Sequence, residues 1–400
     1  MTPASPPSAT DWRIVWLTVA AGVVAAFQIG KVPAALPVLR EEFALGLVGA
    51  GWVLSIFNVI GVFGGMVLGA FIDRAGHRRM IIAGLLLIAL AGVLGALAPA
   101  APLLFAGRCL EGLGFTIVVV GGPGVLVRAA TPRDLRLAFG LWGSYMPTGM
   151  ASMLVASPAL IDLIGWRGLW LVNAALMTIF AIVLAASTRG LGRGGSTADW
   201  SGLALTLKAR GPWLLALGFA AYTLQFLAVM GFLPIILADE AGASPALAAA
   251  LTALAVAVNV IGTLLGGWLL YHHWPRWQLI AGTSVLMAVA ALAIYSPFLS
   301  VTWRYLACLA FSAIGGVLPT AVLSGSAPHA PRPNLVATTN GLIMQGSNLG
   351  QSLGPPAVAA LATATGSWTW SPAVLIASAA VSILFALALR RLENAPGRTH

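Results

Sequence analysis

Three ionisable side chains stand inside otherwise apolar stretches of this chain: Lys31, Arg108 and Glu111. Arg108 and Glu111 are three positions apart, as are Gln28 and Lys31, so each pair shares one face if its segment is helical. A guanidinium offers a planar fork to a carboxylate or a similar oxyanion, while an ammonium is a point charge. A carboxylate beside them can neutralise the arginine when no anion is bound, and it is a candidate proton acceptor. With all three ionised the set carries a net charge of +1. Recognition of an anion and movement of a proton are therefore the chemistry these residues suggest.

Covalent chemistry finds no comparable support. Gly30-Lys31 is not a phosphate-binding loop, because position 25 is alanine and Val32 follows the lysine. Neither H-E-x-x-H nor G-x-S-x-G occurs. His272 and His273 are adjacent, a poor spacing for joint metal ligation from a helix. Cys109 and Cys308 lie in apolar runs without redox or metal spacing and read as buried free thiols. No enzyme, metal or cofactor is expected.

The elements that must position these residues are membrane-spanning helices. Of 400 residues, 59% are hydrophobic and 8% charged, too few charges for a soluble surface, where about 25% is usual. Apolar runs of roughly 20 residues, the length a spanning helix needs, follow one another along the chain. The short alternating segments of a membrane β-barrel are absent. Twelve spans are expected, over 13–39, 47–72, 80–98, 102–127, 137–163, 166–188, 211–238, 245–271, 277–297, 301–325, 334–364 and 368–389. The polar, proline-rich stretch 1–12 reads as a disordered cytoplasmic start. Its neighbour is too long for a cleaved leader and reads as the first span. Residues 189–210 form the one long polar connector, between bundles 13–188 and 211–391, and 392–400 is a tail.

The net charge of +10 would suggest nucleic acid in a soluble protein. Here the basic residues alternate between the two sides of the expected spans. With the N-terminus inside, 16 Lys and Arg fall inside and 3 outside, so both termini and the connector are expected in the cytoplasm of an inner membrane, with lipid as the surrounding partner and no nucleic acid. Lys31 lies nine residues before Arg40, about 13 Å below the outer end of its helix. Arg108 and Glu111 fall at roughly 9–14 Å from the same side. All three therefore share a depth.

The two halves resemble each other. At an offset of 197, Trp16, Gln28, Pro37 and Gly69 meet Trp213, Gln225, Pro234 and Gly266. At 201, Gly114, Pro132, Gly140, Gly149 and Gly165 meet Gly315, Pro333, Gly341, Gly350 and Gly366. Glycine and proline hold backbone roles that other residues replace poorly, so this register suggests a duplicated six-helix unit. Such repeats around a midplane site are a transporter architecture.

Two motifs carry a family resemblance. GAFIDRAGHRR follows the second span and resembles the G-x-x-x-D-R-x-G-R-R signature of the major facilitator superfamily: Gly69, Asp73, Arg74, Gly76, Arg78 and Arg79 match, with His77 at a position usually basic. Arg108, Gly112 and Gly114 match R-x-x-x-G-x-G in the fourth span. The resemblance covers the whole chain. It implies an all-α membrane fold of two pseudo-symmetric six-helix bundles, alternating access, a largely monomeric protein, and a gating role for the six signature residues. GKVPAALPVLREEF and QGSNLGQSLGPP are also similar to the cyanate permease-like group. The exporter pattern G-x-x-x-G-P-x-x-G-G is not matched, since Gly143 and Pro147 are not adjacent. Leu270 replaces the signature aspartate in the second half, which concentrates gating in the first.

On this reading the chain is a secondary transporter taking up a small anion with protons, or else a proton-coupled exporter of drugs or metabolites. Lys31, Gln28 and Arg108 are expected to bind substrate and Glu111 to couple protons. Asn58, Tyr145, Tyr222, Gln225, Gln345 and Asn348, polar and mid-span, are expected to line the cavity. Each has a plainer alternative. Lys31 could snorkel outward past Pro33 and Pro37 as an anchor. Arg108 and Glu111 could be a structural pair, and the softer polar residues could bond one helix to another. Trp12, Trp166 and Trp368, near span ends, read as interface anchors.

Overall fold

The computed structural model describes residues 9–131, 133–134, 138, 141–189, 200–332 and 335–394, without the side chains of Ala70, Asp73, Trp200, Ser201 and Ala337. The described residues are helices and turns, with no strand. Ten helical stretches among them are long and apolar enough to cross a membrane. One of these, Leu141–Ser187, has 47 residues, about 70 Å at 1.5 Å each and more than twice the roughly 30 Å of a hydrocarbon core. It is divided at Gly165, with φ 71° and ψ 168°, into the expected fifth and sixth spans.

The expected eleventh span is present as helix Val336–Thr365 but is too polar to count by hydropathy. Its environment explains that composition. It packs on Arg210–Ala241 of its own half and on Leu47–Ser55 and Val59–Ala75 of the other. Protein, rather than lipid, surrounds much of it. Counting the divided stretch twice and adding this helix gives twelve crossings.

The repeat seen in sequence has a geometric counterpart. A side chain at Gly149 would meet the carbonyl of Val23 at 2.3 Å, and one at Gly350 would meet that of Ala220 at 1.9 Å. These contacts are the same one in the two halves, since 220 − 23 = 197 and 350 − 149 = 201. Gly165 and Gly366, also 201 apart, both turn the chain with positive φ.

Among the described residues three spans break midway, the tenth at Gly316 between Val301–Gly315 and Val317–Leu323. Leu47–Ser55 and Val59–Ala75 are joined by a 3-10 turn at Ile56–Asn58, and Pro245–Ala257 gives way at Val258 to Asn259–Tyr271. The asparagines at the breaks, Asn58 and Asn259, are again 201 apart. A break leaves carbonyls that need donors inside a membrane. Arg108 Nε reaches the Val53 carbonyl at 3.3 Å and Cys109 Sγ that of Ile56 at 3.6 Å. In the second half Asn259, at the break of the eighth span, donates through Nδ2 to the Ser312 carbonyl beside the break of the tenth at 2.8 Å, and to the Tyr222 hydroxyl at 3.2 Å.

The halves meet along the second and eleventh spans, from Gly51 beside Pro355 to Met66 beside Gly341. Pro245–Ala257 also packs on the Tyr145–Ser187 stretch, whereas Asn259–Tyr271 packs chiefly within its own half. The two parts of the eighth span therefore differ, the first packing across the halves and the second within its own.

Connector and termini differ in detail from the sequence expectation. Residues 190–199 of the connector lie outside the described residues, but Trp200–Lys208 is helical. Its Leu203 packs against a small apolar cluster formed by Met66 of the first half and Ala216 and Leu342 of the second. Residues 1–8 and 395–400 lie outside the described residues. Within the expected disordered start, Thr10 Oγ1 donates to Asp134 Oδ2 at 2.6 Å and Asp11 caps the first helix through the amide of Ile14.

Candidate functional site: a buried charge cluster

Helix Trp12–Glu42 turns Gln28 and Lys31 inward, and helix Ala101–Ala129 brings Arg108 and Glu111 to meet them. Lys31 Nζ stands 2.7 Å from Glu111 Oε1, and Arg108 Nη1 stands 2.5 Å from Glu111 Oε2. Each carboxylate oxygen is thus held by a different cation. Lys31 also donates to Gln28 Oε1 at 2.5 Å, and Arg108 Nη1 to the Gln28 carbonyl at 2.9 Å. Lys31 and Glu111 are 0% exposed, and Arg108 and Gln28 1%. The equal depth inferred from sequence brings these four residues into contact.

The sixth and second spans complete the enclosure. Lys31 Nζ lies 4.1 Å from the centre of a Trp170 ring, and the Arg108 guanidinium carbon 4.7 Å from that of Phe57. An aromatic face attracts a cation by roughly 0.5–2 kcal/mol, more as water is removed. Asn173, also from the sixth span, accepts from Gln28 Nε2 at 3.4 Å and donates to the Leu169 carbonyl at 2.9 Å. Asn173 was legible as a polar residue in an apolar run. Nothing in the sequence marked Trp170 or Phe57 as partners.

Lys31 does not snorkel: its nitrogen is bound inside the bundle. Nor is it displayed on a surface, because the cluster sits among the first, second, fourth and sixth spans. The glycines of the fourth-span motif explain how these helices come so close. A side chain at Gly112 would stand 1.6 Å from the Phe57 carbonyl, and one at Gly114 2.7 Å from that of Gly84.

The softer candidates are not gathered with the cluster. Gln345 Nε2 donates to the Val62 carbonyl at 2.9 Å, and Asn348 lies against Gly61, so both sit where the halves meet. Tyr222 belongs to a ring column with Phe219 and Phe226. Tyr145 packs on Trp142 with centroids 4.8 Å apart. Gln225, the counterpart of Gln28, donates to the Ala221 carbonyl at 3.1 Å, and its Oε1 is buried without a hydrogen bond among the described residues. Asn58 is buried at the break of the second span. Asn259 escaped the sequence reading, and the 201 offset from Asn58 was the signal that could have found it.

Among the signature residues, Gly76, with φ 94°, ends Val59–Ala75 and starts His77–Ala96. Arg78 donates to Thr188 Oγ1 at 2.8 Å and to the Ala185 carbonyl at 2.7 Å, tying the third span to the end of the sixth. Arg74 and Arg79 are exposed, and Gly69 faces Val120. The Asp73 side chain lies outside the described residues. Trp166 is a correction: it is 3% exposed and donates to Glu42 Oε2 at 2.5 Å, so it packs inward and is no interface anchor. Cys308 is buried, as expected, but Cys109 is only partly so.

Twelve helical crossings in two similar halves, with an ion cluster enclosed in one, define a polytopic membrane protein of the helical-bundle class. The sequence profile of the Major Facilitator Superfamily matches residues 18–355 and again 215–400, and the chain belongs to that family. It is 28% identical over 193 residues to a puromycin resistance protein of Streptomyces alboniger, covering 47% of this chain and 38% of the relative. It is 28% identical over 183 residues to a 4-hydroxybenzoate transporter of Pseudomonas aeruginosa, covering 45% and 40%. The matches thus span well under half the length of these relatives. A bacterial homologue of the human lysosomal transporter Spinster, solved in an inward-facing, unoccupied conformation, superposes with a TM-score of 0.81 at 16% identity, over 96% of this chain and 99% of that one.

Proposed function

We propose that this chain is a proton-coupled secondary transporter that moves a small anion by alternating access. The observation that carries the reading is the Lys31–Glu111–Arg108 cluster: one carboxylate shared by two cations in a fully enclosed core leaves one positive charge unbalanced. A charge out of water is unfavourable by several kcal/mol unless compensated. An anion arriving between the halves supplies that compensation from nearby. At a separation of roughly 8 Å and an effective dielectric of about 20, the attraction is about 2 kcal/mol, roughly thirtyfold in affinity. Glu111 is the proton-carrying group, since protonating it releases Lys31 and Arg108 together. The likeness of Gly30–Phe43 and Gln345–Pro356 to the cyanate permease-like group supports a small anion.

The charge asymmetry supports insertion with both termini and the connector in the cytoplasm, and on that orientation the signature after the second span lies at the inward end. Gly69, Asp73, Arg74, Gly76, Arg78 and Arg79 are proposed to govern closure of that end. The protein works as a monomer on this reading.

A second reading, export of a drug-like solute, is favoured by the complete enclosure of Lys31 and Arg108, which presents neither cation directly to a solute. Resistance proteins among the relatives support it. Counterflow in proteoliposomes separates the two. The anion reading expects exchange of small anions, driven by an imposed proton gradient and lost in Lys31→Met. Exchange of cationic or neutral aromatic drugs alone would replace it by the export reading.

A further inference from the structure

A hollow of about 320 Å³, half open to the surface, lies far from the charge cluster at the end of the twelfth span, lined by Leu387, Arg390, Arg391 and Asn394 of that one helix end. That is roughly ten times the volume a water molecule occupies. Two adjacent arginines point charge into it. Neither is reported in an ion pair with a described carboxylate: the nearby Glu393 is taken by Arg276 at 2.5 Å and His329 at 3.1 Å. The Arg390 guanidinium carbon also lies 4.6 Å from the centre of a Trp277 ring on the ninth span. A guanidinium over an aromatic face keeps N–H groups that suit a phosphate.

The helix leading to this hollow carries an exposed apolar stripe. Val381, Leu384 and Leu387, at three-residue spacing, are 43%, 65% and 39% exposed. A stripe at that spacing runs along one side of the helix. An apolar track that ends in two cations and an amide matches one amphiphile, an acyl chain ending in an anionic headgroup. Basic pockets between helices at the cytoplasmic membrane surface suit such headgroups.

We propose that Arg390, Arg391 and Asn394 form a binding site for the phosphate of an anionic phospholipid whose acyl chain lies along Leu384 and Leu387. The proposal stands apart from the transport reading; the orientation proposed above decides only which leaflet supplies the lipid. The site adjoins the Arg276–Glu393–His329 cluster, which joins the ends of the ninth and twelfth spans to the connector before the eleventh. An occupied site braces that end of the second half.

Lipid retention by the full-length chain in detergent tests this, counted by native mass spectrometry after adding phosphatidylglycerol or phosphatidylcholine. Phosphatidylglycerol is expected to be retained at least tenfold over phosphatidylcholine. Arg390→Ala with Arg391→Ala should lose one bound phosphatidylglycerol. Arg390→Lys with Arg391→Lys keeps the charge that sets topology and should retain an intermediate share. Arg332→Ala, an exposed arginine elsewhere at the same end, should match the parent. Equal retention by the alanine pair, equal loss in Arg332→Ala, or full displacement by millimolar inorganic phosphate would each overturn the assignment, the last by making free phosphate the ligand.

Discussion

Lys31 and Glu111, 80 positions apart in sequence, meet at 2.7 Å with neither side chain exposed. Arg108 holds the other oxygen of the same carboxylate, so the three residues do not contribute equally. Glu111→Gln leaves two cations buried without an anion, and the cluster's formal charge rises from +1 to +2. Lys31→Met lowers it to zero and leaves the Arg108–Glu111 pair intact. Removing a sole buried partner costs about 3–5 kcal/mol. Glu111→Gln should therefore destabilise by about that much, and Lys31→Met by much less, in thermal unfolding of the purified protein. If the two variants melt together, the shared-carboxylate account is wrong.

Close helix approach makes a second, purely steric prediction. A methyl group at Gly112 would stand 1.6 Å from the Phe57 carbonyl, and one at Gly316 2.0 Å from that of Asn259. Backbone must move in either case, and overpacking costs about 1–3 kcal/mol or more. Gly112→Ala and Gly316→Ala should both lower the melting temperature. Gly267 has nothing within 4 Å of the added methyl, so Gly267→Ala should be neutral or gain up to about 1 kcal/mol from helix propensity. Equal behaviour of all three variants would refute this account of the glycine register.

How much of this was legible beforehand follows from what each feature depends on. The helical membrane fold rests on composition and run length, which sequence shows directly. The cluster was legible because an ion in an apolar run is rare and helical rise converts position into depth: Gln28, Lys31, Arg108 and Glu111 were found that way. Their aromatic neighbours were not, because Phe57 and Trp170 look like any other apolar residue until helix rotation is known. The roles of Gln345 and Asn348 were less legible for a related reason. Polarity marks the eleventh span as shielded from lipid, but a cavity and a neighbouring helix shield equally well, and Gln345 serves the Val62 carbonyl. The breaks at Asn58 and Asn259 involve no proline, and only the repeat offset hints at them.

Orientation can be read with single cysteines. In a background with Cys109 and Cys308 replaced, cysteines at Ser196 in the connector and at Ala241, the end of the seventh span, should label from opposite sides of sealed vesicles. The charge bias of 16 to 3 predicts Ser196 in the cytoplasm. Labelling of both sites by an impermeant reagent from one side would require an even number of crossings between residues 196 and 241 and would undo the twelve-span count.

The connector helix Trp200–Lys208 gives a prediction about conformational balance. Leu203 packs on the cluster in which Met66 of one half meets Ala216 and Leu342 of the other. Any motion that parts the halves at this end must break that cluster. Full burial of a leucine contributes about 1.5–3 kcal/mol, and this residue is partly buried, so its share is nearer the lower figure. Leu203→Asp removes that share and places a carboxylate among apolar groups, shifting the balance toward separation by roughly tenfold. The readout is disulfide formation between cysteines replacing Gly65 and Gln345, which lie in contact across the halves. Their crosslinking should slow about tenfold in Leu203→Asp and recover in Leu203→Ile, which restores an apolar side chain of the same size. If crosslinking is equally fast in all three backgrounds, the helix joins the halves in sequence without holding them together in space.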